Sequence, residues 1–134
     1  MTQDKDLLLK DLCARLPYGV KVLVDNKHWC DFDGRTPSKL TFDNSYRLLY
    51  VGTDLGYVKP YLFPLSSMTE GQKYTCPIGV ANLEAFIKNE PWTYLELSPD
   101  SILRFVDWLN KNHFDYRGLI EKGLAIDATG LNVY

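Results

Sequence analysis

Apolar residues recur along the first part of the chain with a helical period. Between Asp4 and Leu16, the residues Leu9, Leu12, Cys13 and Leu16 stand at i, i+3, i+4 and i+7, and Leu8 widens the stripe. This predicts an amphipathic helix with that stripe as its core face. Thr2 or Asp4 can cap its start. Pro17 ends it, because proline disfavours helical geometry in the residue before it. From Tyr18 to about Pro60 the period switches to two. Val20, Val22 and Val24 alternate with Lys21, Leu23 and Asp25, the pattern of a half-buried strand. After an Asn26-Lys27 turn, His28 to Phe32 reads as the returning strand. Asp33-Gly34 is a turn signal, since glycine accepts positive φ. Ser38 to Phe42 and Tyr46 to Val51 read as further strands, and Gly52 and Gly56 bracket a loop before Tyr57 to Pro60.

Beyond Pro60 the pattern changes again. Lys59 to Leu65, flanked by prolines, reads as an extended apolar connection leaving the sheet. Ser67 and Glu70 have capping-box spacing, so a helical turn can begin there, and Gly71 to Gly79 reads as a mobile loop. Asn82 to Asn89 fits two helical turns with Leu83, Phe86 and Ile87 on one face, stopped by Pro91. Trp92 to Leu97 fits a short strand or an extended link. Ser98 followed by Pro99 is a favoured helix start, and Ile102, Phe105, Val106 and Leu109 form the core stripe of the helix that follows. Asn110 and Asn112 suit its left-handed end. Asp115 can then cap a short helix from Tyr116 to Lys122, terminated by Gly123.

These elements predict one α+β domain over residues 1–134: an N-terminal helix, a small antiparallel sheet of four to five strands, and C-terminal helices packed on it. The sheet is expected to be an SH3-like barrel or a strongly bent sheet; an OB-like barrel would need longer strands. Leu12, Leu16, Val22, Val24, Leu48, Phe86, Ile102, Phe105, Val106 and Leu109 are the expected core.

Composition narrows the function classes. Hydrophobic residues make up 46% and charged residues 24%, ordinary globular usage. A formal net charge of −2 argues against sequence-independent binding to nucleic acid, which needs a basic surface to replace phosphate counterions. Cys13, Cys30 and Cys76 form no C-x-x-C pair, which fits buried thiols in a reducing compartment better than a disulfide framework. The opening residues carry charges among their leucines and no small-residue cleavage site, so we expect no signal peptide. No apolar run approaches the ~20 residues that cross a bilayer. The expected setting is cytoplasmic, with no membrane partner. The 13% aromatic content, nine residues of it tyrosine, suits half-buried core sites and recognition surfaces alike.

Candidate chemistry gathers at Asn112 to Arg117. His113 and Asp115 sit two residues apart beside Tyr116 and Arg117, an arrangement that could support acid–base catalysis. The structural alternative is that Asp115 caps a helix and His113 bonds a backbone carbonyl at the turn. Arg117 and Gly118 fall in the first turn of the expected short helix, where free N–H groups and the helix dipole favour an anion. Arginine matches phosphate bidentately, and Tyr116 or Trp108 could stack on a base. The residues expected to bind a nucleotide-type ligand are therefore Arg117, Gly118, Tyr116, Trp108 and His113; the structural alternative pairs Arg117 with Asp115 or Asp127. No metal site is expected. His28-Trp29-Cys30 is a lone close pair, and Asp31-Phe32-Asp33-Gly34 lacks the later acids of a calcium loop. Cys30 or Cys76 with His113 would be the components of a Cys–His hydrolase. We expect no cofactor. A site shared between protomers would suit a chain this small.

Three blocks carry a resemblance: KDLCARLPYGVKV (Lys10 to Val22), KPYLFPLSSMTE (Lys59 to Glu70) and WLNKNHFDYRGLIEKGLAIDATGLNVY (Trp108 to Tyr134). In them the chain resembles a family of small uncharacterised proteins from gut-bacterial genomes and from prophages and phages. The family brings no activity, cofactor or catalytic residue; the resemblance implies a phage or mobile-element setting. In that setting the first expectation is a non-enzymatic binding protein, such as a counter-defence protein that sequesters a nucleotide-type signal. The alternative is an interaction module that blocks or recruits a host or phage protein through exposed tyrosines, and the third reading is a small enzyme using His113 and Asp115.

Overall fold

The structure, a computed structural model, describes residues 2–25, 33–53, 56–88 and 97–134. Helix α1 spans Thr2–Arg15 and tightens into a 3-10 turn over Leu16–Tyr18. Its inner face is rotated from the expected stripe. Leu8 and Leu12 are buried, but Leu9 and Cys13 face outward, and Asp11 and Arg15 complete the buried side. Two charges replace apolar residues there because they bond to one another and to partners across the fold, which is what makes a buried charge tolerable.

Strand β1, Lys21–Val24, pairs antiparallel with β2, Ser38–Lys39, and with β3, Val58–Pro64. The strand expected over Ser38 to Phe42 stops after two residues because Thr41 caps a helix. Its hydroxyl accepts from the Asn44 N–H while the Asn44 side chain accepts from the Thr41 N–H, a reciprocal cap that satisfies two orphan donors. Helix α2, Phe42–Ser45, runs on as π-helical turns over Tyr46–Gly52. The strand expected over Tyr46 to Val51 is therefore helical.

β3 corrects a second expectation. It does not end near Pro60 but continues through Pro64 as the centre of the sheet. Its first half pairs with β1, with Pro60 opposite Val22. Its second half takes two short parallel strands: β4, Phe114–Asp115, with Phe63 opposite Phe114, and β5, Ile126–Asp127, with Tyr61 opposite Ile126. The order is β2-β1-β3-β4, with β5 also on β3. The α+β class holds, but the sheet is mixed and open, so the SH3-like barrel is not formed. C-terminal segments line β3 in parallel where a closing barrel would need an antiparallel return.

Helix α3, Glu70–Tyr74, begins where a helical turn was expected and runs on into the Gly71 to Gly79 segment expected to be a loop; it is capped by Thr69 and Gln72, not by Ser67 and Glu70. Helix α4 covers Val80–Ile87 and α5 covers Pro99–Lys111. As expected, the Ser98 hydroxyl accepts from the Ser101 N–H and Pro99 takes the first turn. The short helix expected from Tyr116 to Lys122 is a run of turns instead. The expected strand His28 to Phe32 and most of the link Trp92 to Leu97 lie outside the described residues.

The core has two main bodies. Leu8, Leu12, Val22, Val24, Leu48 and Leu62 belong to one; Met68, Leu83, Phe105, Leu109 and Phe114 belong to the other. Alternation along β3 sends Leu62 to the first and Phe63 to the second, as the period of a strand requires. Leu16, Phe86 and Val106 are half-buried rather than buried, and Ile102 is 42% exposed at the outer side of α5.

Candidate functional site

The junction from Asn112 to Arg117 follows from how α5 ends. His113 adopts a left-handed conformation, φ 63°, donates its backbone N–H to the Asn110 carbonyl and accepts the Phe63 N–H on its own carbonyl. The chain thereby turns from helix into β4 and docks on β3. Asp115 then closes the following turn. Its two oxygens accept from the N–H groups of Leu119 (3.0 Å) and Ile120 (2.9 Å). Two amides of this turn, those of Leu119 and Ile120, are therefore already bonded to a carboxylate.

Arg117 is held in the same way. Its Nη1 lies 2.7 Å from Asp11 Oδ1, and the side chain is only 24% exposed. The partner is neither Asp115 nor Asp127. The other Asp11 oxygen accepts from Arg15 Nε at 2.8 Å, and Arg15 Nη2 donates to the Phe114 carbonyl at 2.6 Å. Tyr116 lies against both guanidiniums, 4.5 Å from that of Arg117 and 5.3 Å from that of Arg15, and its hydroxyl donates to Asn110 Oδ1. Helix α1 is thus tied to the junction by a buried ionic network. Asp11 and Arg15 are its missing members: their i,i+4 spacing was the available signal, and such a pair ordinarily sits on a solvated helix face.

The remaining expected site residues separate. Trp108 packs into the second core body, its ring 5.5 Å from Phe114 and 6.2 Å from Phe105, with Nε1 donating to Thr75 Oγ1. Gly118 is needed for its φ of +72°, and a Cβ there would meet nothing within 4 Å. With Tyr116 and Asp115 it lines a hollow of about 340 Å³ whose other charged wall is Glu121, a poor setting for a phosphate. His113 is stacked on Tyr134 and its Nδ1 has no partner. Burial, then the charges of Arg15 and Lys21, lower its imidazole to about 4. Cys76 lies in the second core body, where burial pushes its thiol up, the opposite of an activated nucleophile; Cys30 and His28 lie outside the described residues. Asp33 forms a turn, with its carboxylate accepting from the Arg35 and Thr36 amides. Among the described residues no cluster of metal-ligating side chains occurs and no helix is long and apolar enough to cross a membrane.

A different surface presents unburied recognition chemistry. Along α2 and its π-helical extension, Phe42, Tyr46 and Tyr50 stand four residues apart and are 76%, 73% and 71% exposed. The Tyr46 and Tyr50 rings are stacked, 5.4 Å between centroids and 7° from parallel. The opposite side of the same segment buries Leu48, Gly52 and Thr53, and the Thr53 hydroxyl donates to the Leu49 carbonyl. A buried base therefore holds up an aromatic ridge.

No family model, no curated protein and no solved structure matches the chain.

Proposed function

We propose that the protein is a non-enzymatic interaction module that docks another protein through the ridge of Phe42, Tyr46 and Tyr50. The carrying observation is that these rings are exposed together on one helical face, with two of them stacked on each other. Large aromatic side chains bring contact area at little entropic cost and dominate the energetics of interfaces. Irregular π-helical turns also recur at functional sites. The phage or mobile-element setting implied by the resemblance suits a protein that acts by occupying the surface of a host or phage protein.

The geometry favours a nucleotide-type ligand at the junction less than it favours the ridge. Such a ligand relied on the fork of Arg117, which is bound to Asp11, and on open amides, of which those of Leu119 and Ile120 are bound to Asp115. The test compares the protein with a Phe42→Ser, Tyr46→Ser, Tyr50→Ser variant as baits in host lysate. A stoichiometric partner should be captured by the first and lost from the second. Circular dichroism should be unchanged, and Tyr74→Ser, at an exposed tyrosine on α3, should capture normally. Equal capture by both baits would overturn the reading.

A further inference from the structure

Beside the ridge, the turn Leu16–Tyr18, β2 and the start of α2 enclose a groove of about 580 Å³, within the size range of ligand-binding clefts. Its floor is apolar, formed by Leu16, Pro17 and Leu40, and Tyr18 and Phe42 supply aromatic walls. Phe42 also begins the ridge, so the two surfaces are continuous. Two cations line the groove, Lys39 and Lys111. Among the described residues neither ammonium is paired with a carboxylate. The Lys39 stem crosses Gly19, where a Cβ would come within 2.9 Å of Lys39 Cε. Glycine at that position leaves room for the lysine. Two acids stand close by: Asp107, near the Tyr18 hydroxyl, and Asp43, which follows Phe42 in the first turn of α2.

The chemistry distinguishes among anions. Phosphate sites generally offer an arginine fork or free backbone amides. No arginine lines this groove, and three of its amides are already used: Gly19 N–H bonds Leu16 O, Leu40 N–H bonds Val20 O, and Thr41 N–H bonds Asn44 Oδ1. What remains is a pair of point charges over an apolar floor. On a chain whose net charge is −2, this positive spot is local. We infer that the groove receives an acidic peptide segment of the docked protein, with an apolar side chain on Leu16, Pro17 and Leu40 and carboxylates at Lys39 and Lys111. The inference rests on the ridge reading and gives the partner its chemistry.

Photo-crosslinking on the full chain separates the two. Benzoylphenylalanine is installed at Tyr18, inside the groove, or at Tyr46, on the ridge, and crosslinked segments are sequenced after exposure in host lysate. From Tyr18 the captured segment should carry aspartate or glutamate flanking an apolar residue. Lys39→Glu with Lys111→Glu should cut that yield by at least about tenfold, as reversal of complementary interface charges does, while capture from Tyr46 persists. A basic or uncharged segment, a nucleic acid, or a yield indifferent to the charge reversal overturns the acidic-peptide assignment. So does crosslinking from Tyr46 alone, which leaves the ridge standing. Silence from both positions overturns the ridge reading as well.

Discussion

The imidazole of His113 lies flat on the ring of Tyr134, with centroids 3.8 Å apart and planes 11° from parallel. The stack joins the end of α5 to the last residue of the sequence. The Tyr134 hydroxyl secures it by accepting from the Lys21 N–H and donating to the Tyr61 carbonyl. Val133 is buried beside Tyr61 and Ala128, so residues 133 and 134 are part of the packed fold.

This contact makes stability depend on pH. Burial lowers His113 from 6.5 to about 4, so the unfolded chain binds a proton that the folded one refuses. Stability is then fully present above pH 6.5 and is lost as pH falls through the window down to about 4, by on the order of 3 kcal/mol. Asp33, held at about 2 by bonds from Thr36 and Arg35, keeps its contribution throughout that window and loses it only at lower pH. Urea denaturation of the wild type at pH 7, 5.5 and 4.5 should show the decline. His113→Asn should flatten it, since asparagine accepts the left-handed conformation and cannot titrate. An undiminished slope in His113→Asn would assign the effect elsewhere.

The ionic network at Asp11 predicts unequal costs for its members. Asp11 is fully buried and serves two guanidiniums. Removing it as Asp11→Ala strands both and should cost about 3–5 kcal/mol. Arg117→Ala leaves the Asp11–Arg15 bond in place and removes a partly exposed side chain, so its cost should be about 1–2 kcal/mol. Replacing the buried pair together, Asp11→Leu with Arg15→Met, should lose less than Asp11→Ala alone, because the guanidinium still left without its carboxylate is then the partly exposed one of Arg117 and no fully buried charge is stranded. Chemical denaturation of the three variants gives the ranking, and equal losses would contradict it.

What the sequence disclosed was local. The Ser98-Pro99 cap and the apolar period of α5 involve neighbours in the chain, and so does the alternation of Val22 and Val24. Misreadings arose where one pattern fits two periods or where the partner is remote. Tyr46, Leu48 and Tyr50 alternate like a strand, yet a helix with Tyr46 and Tyr50 outward and Leu48 inward uses the same residues. Pro60 and Pro64 argued against a central strand, but β3 tolerates them, with Pro64 at its end. Arg117 looked available because Asp11, its partner, stands 106 residues away. No spacing rule reaches that far.

Asp115 offers a finer test of the junction. Both of its oxygens accept backbone N–H groups, and the side chain is buried. Asp115→Asn keeps the shape but turns an NH2 toward one of those donors. The expected loss is about 2 kcal/mol, and that of Asp115→Ala is larger, since Asn leaves one of the two N–H groups unmet and Ala leaves both. Amide exchange at Leu119 and Ile120 should speed up in both variants. Wild-type protection in Asp115→Asn would mean that the turn is held by packing alone.

The ridge depends on a close approach behind it. Gly52, at the end of the π-helical segment, faces Val58 in β3, and a Cβ at Gly52 would stand 2.5 Å from Val58 Cγ2. Because the valine is buried, it cannot swing away, and Gly52→Ala must push the helical segment off the sheet. Overpacking of this kind costs about 1–3 kcal/mol. Val58→Ala makes room at the price of its own cavity, so Gly52→Ala with Val58→Ala should be less destabilised than the sum of the singles by about 1 kcal/mol or more. Additive losses would show that the contact does not limit the packing. The same displacement tilts Phe42, Tyr46 and Tyr50 together. Gly52→Ala should therefore weaken partner capture at temperatures where it remains folded, and the Val58→Ala combination should restore part of it.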